Sequence, residues 1–372
     1  MKQYIYADNA ATTKLDIDAF EAMKPYMLQE YGNVSQPYSF SRTTKVALKQ
    51  AREDIAKCIN AEPDEIYFTS GGTESDNWAI KGLMYYGYNR KVITSNIEHH
   101  AVLNTCKAIE RLGGSVKYLS VDKKGIITQE VFLKELDVDQ LASIMMINNE
   151  IGTIEPIAEL ARIAHKNGII FHTDAVQAVG HIPIDVKELG VDMLSASAHK
   201  FNGPKGIGFL YIKKGTQLFP YNDGGKQEMG MRAGTENVAS IVGMSVALQK
   251  NIATIKENEN HIKCLEKIIL DKLKDSDINF LRNGINHAPG NLSLSFMGCD
   301  GEVLLHRLDL TRIEISTGSA CDSKNKQISH VLKAIELPIE YALGTVRISL
   351  GKNNTQEEAE RIADELIKVI NK

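Results

Sequence analysis

Two short segments of the chain carry side chains that could hold a cofactor. Asp174 and Gln177 follow the apolar run 168–173, and Lys200 follows the apolar run 191–196. Both runs have the composition of buried strands, and α/β folds place their ligands at the carboxyl ends of such strands. Proteins hold pyridoxal phosphate (PLP) with a lysine that forms a Schiff base and an acid that pairs with the pyridinium nitrogen. The two segments therefore predict a PLP site where they face one crevice.

A glycine-containing turn and the neighbours of Lys200 could bind the cofactor phosphate. The turn 70–75 follows a predicted strand and opens a predicted helix, so backbone N–H groups and the helix dipole would meet an anion there. Taken alone, this turn is more often an ordinary glycine turn with a Thr or Ser N-cap. Lysines are usually surface charges, and this applies to Lys205 as much as to Lys200. Ser197 and His199, which could donate to a phosphate, favour Lys200.

Other polar residues could have a functional role or could be ordinary surface residues. Cys321 lies in the polar segment 316–326, which predicts an exposed loop near cations, the setting of reactive thiols, although exposed thiols are often inert. Arg347 in a predicted strand could clamp a substrate carboxylate, or be a surface charge. His99 and His100 could bind a metal, support an aromatic ring or face water. Adjacent side chains diverge on regular elements, so we expect at most one of them to face the site.

Composition narrows the class of protein. The 372 residues carry 43 basic and 47 acidic side chains, a formal charge of −4, so no bulk positive charge is available for nucleic acid. No apolar run approaches the roughly 18 residues that cross a bilayer, and the first residues lack the apolar core of a signal peptide. We therefore expect a cytoplasmic protein. Neither a disulfide framework nor a zinc site is expected from the spacing of Cys58, Cys106, Cys264, Cys299 and Cys321.

Hydrophobic periodicity predicts an α/β fold with a mostly parallel sheet. Apolar runs alternate with helical patterns over the first two thirds of the chain, which favours helices on both faces of a sheet. The predicted strands are 65–69, 91–95, 115–119, 142–147, 168–173, 192–196 and 208–212. A long helical stretch, 241–273, precedes shorter strands at 291–296 and 345–350 and a closing helix that begins with a capping box at Thr355 and Glu358. We expect a large domain over 15–250 and a smaller α/β domain from 1–14 and 251–372, which carries the Cys321 loop.

The chain contains a set of short motifs, in this order: 8–13, 69–75, 98–99, 148–152, 174–177, 197–200, 224–228, 232–237, 318–321 and 347–351. Together they resemble the motifs of the cysteine desulfurases, PLP enzymes of the class V aminotransferase group with the fold type I architecture. The ordered set is more specific than any single motif. Two positions depart from the family's pattern: Val34 and Tyr38 replace its proline and histidine, which affects the shape of the site entrance. The chain also ends at Lys372 without the longer tail of some members.

The resemblance implies a role for each matching residue. Lys200 would bind the cofactor aldehyde, Asp174 the pyridinium nitrogen and Gln177 the phenolic oxygen. His99 would stack on the ring and move protons, and Cys321 would be the nucleophile that takes up sulfur as a persulfide. The resemblance also implies that the phosphate is bound by Gly72, Thr73, Ser197 and His199. Thr235 would reach the phosphate of the partner subunit in a homodimer. Asn149 and Arg347 would bind the substrate, and Asn149 would also lie near the cofactor.

These roles imply an enzyme that converts L-cysteine to L-alanine and passes sulfur from Cys321 to an acceptor protein, for iron–sulfur clusters, thio-cofactors or tRNA thiolation. No resident metal is expected, although a transferred iron–sulfur cluster could contact Cys321. The alternatives are a selenocysteine lyase, another PLP-dependent β-eliminating lyase or aminotransferase, and a non-catalytic protein with the same fold. A nucleotide-binding enzyme is least supported, because the chain has neither a Walker A motif nor a Gly-x-Gly-x-x-Gly motif.

Overall fold

The computed structural model describes residues 4–83, 91–137, 140–317 and 328–371. Its strands are β1 (Ile5–Tyr6), β2 (Ile66–Thr69), β3 (Lys91–Ser95), β4 (Ser115–Leu119), β5 (Gln140–Ser143), β6 (Ile170–Asp174), β7 (Met193–Ser197), β8 (Gly208–Ile212), β9 (Phe280–Arg282), β10 (Asn291–Phe296), β11 (Ile313–Glu314) and β12 (Thr345–Ser349). Its α-helices are α1 (Ile17–Leu28), α2 (Arg42–Cys58), α3 (Gly72–Leu83), α4 (His100–Arg111), α5 (Gln129–Glu135), α6 (Ile157–Lys166), α7 (Val186–Leu189), α8 (Val238–Ala253), α9 (Ile255–Lys274), α10 (Gly301–Asp309), α11 (His330–Ala334), α12 (Ile339–Ala342) and α13 (Gln356–Ile370).

The central sheet has seven strands among the described residues, in the order β2-β8-β7-β6-β5-β3-β4. β8 is antiparallel to both of its neighbours, and the other pairs are parallel. β7 and β8 are buried along their whole length, and for β8 this explains a sequence that is continuously apolar rather than alternating. The prediction of an α/β, fold type I architecture with a mostly parallel sheet is confirmed.

The register of the central sheet aligns the ends of two strands that carry predicted site residues. Asp174, the last residue of β6, pairs with Ser195 of β7, and β7 then continues to Ser197. Because β6 and β7 run parallel, both strands end at the same edge of the sheet. Lys200 follows three residues later, in the 3-10 turn Ala198–Lys200. The predicted cofactor handles therefore lie at neighbouring strand ends.

A separate apolar cluster lies under the C-terminal elements. The antiparallel sheet β12-β10-β9 and the parallel pair β1–β11 pack with α9, α10 and α13. Ile5 and Ala7 belong to this cluster, so the N-terminal segment packs with the C-terminal third of the chain. The cluster is consistent with a smaller domain built from both ends, and the boundaries at 14, 15, 250 and 251 stay a prediction.

Two predicted elements differ from the structure. The stretch 241–273 is not one helix: α8 and α9 meet at Thr254 with a bend of 71°. The Thr254 hydroxyl donates to the carbonyl oxygen of Lys250 at 3.0 Å, the local competition that disfavours threonine within helices. The strand predicted over 142–147 ends at Ser143, because the chain turns back and Ile147 forms an isolated bridge with Ile154. Across the described ranges no single helix has the length and apolar composition to cross a membrane, and α8 with α9 meets those criteria only as a bent pair.

Candidate active site

A cavity of about 770 Å³ contains most of the predicted site residues. The structure does not bring Thr235 to this cavity; the residue is exposed in the segment before α8. Cys321 lies outside the described residues. The predicted residues that line the cavity are Gly72, Thr73, His99, Asn149, Asp174, Gln177, Ser197, His199, Lys200 and Arg347.

Lys200 is held by backbone carbonyl groups at one wall of the cavity. Its Nζ donates to the carbonyl oxygens of Ala10 and Ala11, at 2.6 Å and 2.9 Å. Burial and the positive charge of Arg347 lower the pKa of Lys200 to about 8. Because only the neutral amine attacks an aldehyde, the lowered pKa increases the reactive fraction of this lysine near neutral pH.

Asp174 presents a buried carboxylate beside that lysine. One of its oxygens, Oδ1, accepts a hydrogen bond from the N–H of Val176 at 2.9 Å. Burial raises the pKa of Asp174, and the charges of His99 and Lys200 oppose that rise. A cationic ring nitrogen at this carboxylate would act in the same direction as those charges and favour the ionised form. Gln177, three residues on, donates from Nε2 to the carbonyl oxygen of Ala10 at 2.9 Å.

The amino end of α3 forms a wall that suits an anion. α3 begins at Gly72, and the first N–H groups of a helix have no partner within it. A Cβ atom on Gly72 would lie 2.5 Å from Cγ2 of Val176, so the close packing at this point requires glycine. His199 bonds to Oγ1 of Thr12 at 3.1 Å through Nδ1. Burial and the charges of Lys200 and Lys205 lower the pKa of His199 to about 4, so its imidazole is neutral at pH 7.

His99 is the N-cap residue of α4, and this contact sets its tautomer. The N–H of Ala101 donates to Nδ1 of His99 at 3.1 Å, which places the proton of the neutral ring on Nε2. Burial lowers the pKa of His99, and the charge of Asp174 opposes this. His100 lines the cavity as well, so the prediction that at most one of the two histidines faces the site is wrong. His99 precedes the helix with an extended backbone, so the divergence of side chains along a regular element does not apply to this pair.

Arg347 is fixed by two groups that also line the cavity. This arginine is 5% exposed; its Nη2 donates to Oδ1 of Asp8 at 2.7 Å, and its Nη1 donates to the carbonyl oxygen of Asn149 at 2.9 Å. Its buried Nε has no hydrogen-bond partner among the described residues. The guanidinium group therefore keeps N–H donors for a ligand carboxylate while two contacts set its orientation.

Comparison with known proteins agrees with this geometry. The Aminotransferase class-V profile matches residues 5–362. The chain is 48% identical to "Cysteine desulfurase IscS" of Dictyoglomus turgidum over 100% of the chain and 96% of that protein. It is 41% identical to "Cysteine desulfurase NifS" of Azotobacter vinelandii over 98% and 92%. The chain belongs to the class-V aminotransferases, among the cysteine desulfurases. The family predicted from the motifs is confirmed.

Solved structures similar to this cysteine desulfurase family member share its whole fold. A "NIFS-like protein" superposes with a TM-score of 0.93 at 36% identity, covering 99% of this chain and 100% of that one. The structure "SspA in complex with cysteine" superposes with a TM-score of 0.83 at 36% identity, covering 94% and 100%. That related protein is in complex with cysteine.

The cysteine desulfurases use PLP, and the residues of the cavity fit this cofactor. Lys200 would bind its aldehyde carbon, Asp174 its ring nitrogen, and the amino end of α3 with Ser197 its phosphate. The fit rests on observed features: a lysine of lowered pKa, a buried carboxylate in the same cavity, and a helix start where Gly72 leaves no room for a side chain. When bound, PLP supplies an electron sink for a carbanion at the substrate α-carbon.

Sequence reasoning missed cavity residues whose partners are distant in the chain. Asp8 lies in a matching motif but received no role, although it accepts from Arg347, 339 positions away. Glu150 accepts a hydrogen bond from the Ser329 hydroxyl at 2.5 Å across 179 positions, and burial raises the pKa of Glu150 to about 7. The motif at 8–13 was a usable signal for Asp8. Nothing local in the sequence connects Glu150 with Ser329.

Proposed function

We propose that this chain is a PLP-dependent cysteine desulfurase that releases L-alanine from L-cysteine and retains the sulfur as a persulfide on Cys321. The observation that carries the proposal is the convergence of Lys200, Asp174 and Arg347 on one cavity. Lysine and aspartate suit the cofactor, and a buried arginine suits the carboxylate of an amino acid. Relatives of the chain that are named cysteine desulfurases support the desulfurase reaction for this combination.

In this proposal each residue of the cavity has its own role in the reaction. Arg347 binds the substrate carboxylate, and Asn149, whose carbonyl oxygen accepts from Arg347, supports that contact. His99 presents Nε2–H, a donor that can pass a proton to the reacting carbon and take one up again. Lys200 has a pKa of about 8, so it can accept and return a proton close to physiological pH.

The sulfur step balances without an external oxidant. The thiolate of Cys321 forms a bond to the sulfur atom of the substrate, while the bond between that sulfur and the substrate β-carbon breaks. The electron pair of the broken bond and a proton complete the methyl group of alanine. One thiol and one cysteine thus become one persulfide and one alanine.

Chain connectivity supports Cys321 as the nucleophile. Cys321 follows Ser316 by five residues, and the N–H of Ser316 donates to the carbonyl oxygen of Arg347 at 3.0 Å. Five residues span at most roughly 18 Å, so the length of the chain allows a thiol at position 321 to reach the cavity that Ser316 and Arg347 line.

The partner and location belong to the same proposal. The persulfide is passed to an acceptor protein, the enzyme acts as a homodimer, and it works in the cytoplasm. The exposed position of Thr235, away from the cavity of its own chain, supports a contact with a partner subunit. A formal charge of −4 supports a protein acceptor over direct nucleic acid binding.

The first test is covalent cofactor binding together with product formation. Reduction of the PLP-loaded protein with borohydride should fix the cofactor on the peptide that contains Lys200, and L-cysteine should yield L-alanine. Lys200→Ala should lose both. Lys214→Ala, at a side chain that is 79% exposed, is the matched control and should keep both. Alanine formation by Lys200→Ala at the wild-type rate, or none from the PLP-loaded wild type, would contradict the proposal.

A further inference from the structure

Asp8 places a carboxylate in direct contact with the arginine of the substrate end of the cavity. Its Oδ1 lies 2.7 Å from Nη2 of Arg347, and its side chain is 20% exposed. Backbone contacts hold the residue: Ala11 N–H donates to its carbonyl oxygen at 3.0 Å, and the residue forms a parallel bridge with Ser349. The carboxylate is therefore a fixed part of the cavity wall.

The negative charge of Asp8 acts at both ends of an amino-acid ligand. It forms an ion pair with Arg347, which would bind the α-carboxylate. It also raises the pKa of Lys200, against the larger lowering effects of burial and Arg347, so its field extends to the lysine that would hold the cofactor. The α-carbon and the first side-chain atoms of a substrate would lie between these two positions.

Other charges of the described cavity residues do not replace Asp8. Glu150 also lines the described cavity and interacts with Arg347, but it accepts a hydrogen bond from Ser329, and burial raises its pKa to about 7, so part of it is uncharged near pH 7. Glu74 lines the cavity but is paired with Arg232 at 2.8 Å. Lys205 acts on His199, at the end that suits the cofactor phosphate. Lys333 is exposed to water, where ions screen its charge. Among the described residues, Asp8 is the carboxylate that forms an ion pair with Arg347, so its charge acts directly on a ligand there.

We propose that Asp8 determines the charge of the substrates that the cavity accepts. It neutralises Arg347 while leaving N–H donors for one carboxylate, and it repels amino acids whose side chain is also negative. The inference rests on the proposed function and defines its substrate class: amino acids with an uncharged side chain, such as cysteine. Like charges brought together across a binding interface oppose binding.

The test compares two ligands of one shape and different charge. L-aspartate and L-asparagine are measured as competitive inhibitors of alanine formation from L-cysteine. In the wild type, we expect the Ki of aspartate to exceed that of asparagine by about tenfold or more. Asp8→Asn keeps an oxygen for Arg347 and should bring the ratio close to one. Asp8→Glu should keep the wild-type ratio.

The control is Asp364→Asn, which removes a carboxylate from an exposed ion pair with Lys272 at 2.6 Å and should leave the ratio unchanged. Wild-type protein that binds aspartate as tightly as asparagine would overturn the inference, whether or not Asp8→Asn folds. An unchanged ratio in folded Asp8→Asn, or an equal change in Asp8→Glu, would also overturn it.

The two proposals can fail separately. If the wild type makes no alanine from L-cysteine, the desulfurase assignment fails. The binding of aspartate and asparagine is then measured from the change in PLP absorbance, and the same ratios decide the role of Asp8.

Discussion

Lys200 lies where its surroundings weaken its positive charge. Burial removes water from the ammonium group, and the fixed charge of Arg347 adds repulsion, which together lower its pKa to about 8. Asp174 and Asp8 oppose this shift. Arg347 thus increases the neutral fraction of Lys200, in addition to the role in binding a substrate carboxylate that we propose for it.

The pH dependence of cofactor attachment tests this coupling. The rate at which cofactor-free protein binds PLP covalently should rise with pH around a midpoint near 8, because the neutral amine is the nucleophile. Arg347→Met removes a charge that lowers the lysine pKa, so the midpoint should move up by about one pH unit. Absorbance changes during reconstitution measure the rate. Arg162→Met, an exposed position on α6, is the control and should show no shift. A wild-type midpoint near 10.5, the ordinary value for lysine, would contradict the account.

At the scale of elements, the site is formed by strand ends and one helix start. β6 ends in Asp174, β7 ends in Ser197, and α3 begins at Gly72 against Val176. The missing side chain at position 72 lets the start of the helix approach the turn that follows β6. The position of the amino end of α3 therefore depends on the close packing of Gly72 against Val176.

A double substitution tests that packing. Gly72→Ala should weaken PLP binding and destabilise the protein by about 1–3 kcal/mol, because the new methyl group overlaps Val176. Val176→Ala removes the overlapping methyl groups, so the double variant should regain much of the PLP affinity. Cofactor titration and thermal unfolding of the cofactor-free protein are the two readouts. If the double variant binds PLP no more tightly than Gly72→Ala, the overlap with Val176 is not the cause of the lost affinity.

The same elements show what local sequence could predict. The strands 115–119 and 208–212 and the capping box of α13 have local causes, namely β-rich apolar runs and the pair Thr355–Glu358, and the structure confirms them. The residues at strand ends were predictable because parallel strands share an edge. The bend at Thr254 and the Arg347–Asp8 contact depend on side-chain competition and on distant chain segments, which periodicity does not report.

On the scale of the whole molecule, the N-terminal segment connects the second apolar cluster with the cavity. Ile5 is buried in that cluster, and β1 pairs with β11. The segment then passes the cavity at Ala10 and Ala11, and the N–H of Thr13 donates to the carbonyl oxygen of His199 at 2.9 Å. Packing of this segment thus affects both stability and the carbonyl groups that hold Lys200.

Shortening the side chain of Ile5, which anchors this segment, should destabilise the protein. Ile5 is 2% exposed, so Ile5→Ala should lower the free energy of unfolding by about 2–5 kcal/mol through lost burial and an unfilled space. Leu310→Ala, at a side chain that is 84% exposed, is the matched control and should change it little. Urea unfolding of the two variants gives the comparison. Equal losses of unfolding free energy in the two variants would argue against anchoring of the segment by Ile5.

The central claim is that this cavity transfers sulfur from L-cysteine to the thiol of Cys321. Mass spectrometry of the proteolysed, PLP-loaded protein after addition of L-cysteine tests it most directly. The account predicts one added sulfur atom on the peptide that contains Cys321, removed by a reductant and absent from Cys321→Ser. Alanine formation with no sulfur on that peptide, or an undiminished rate of persulfide formation in Cys321→Ser, would contradict it.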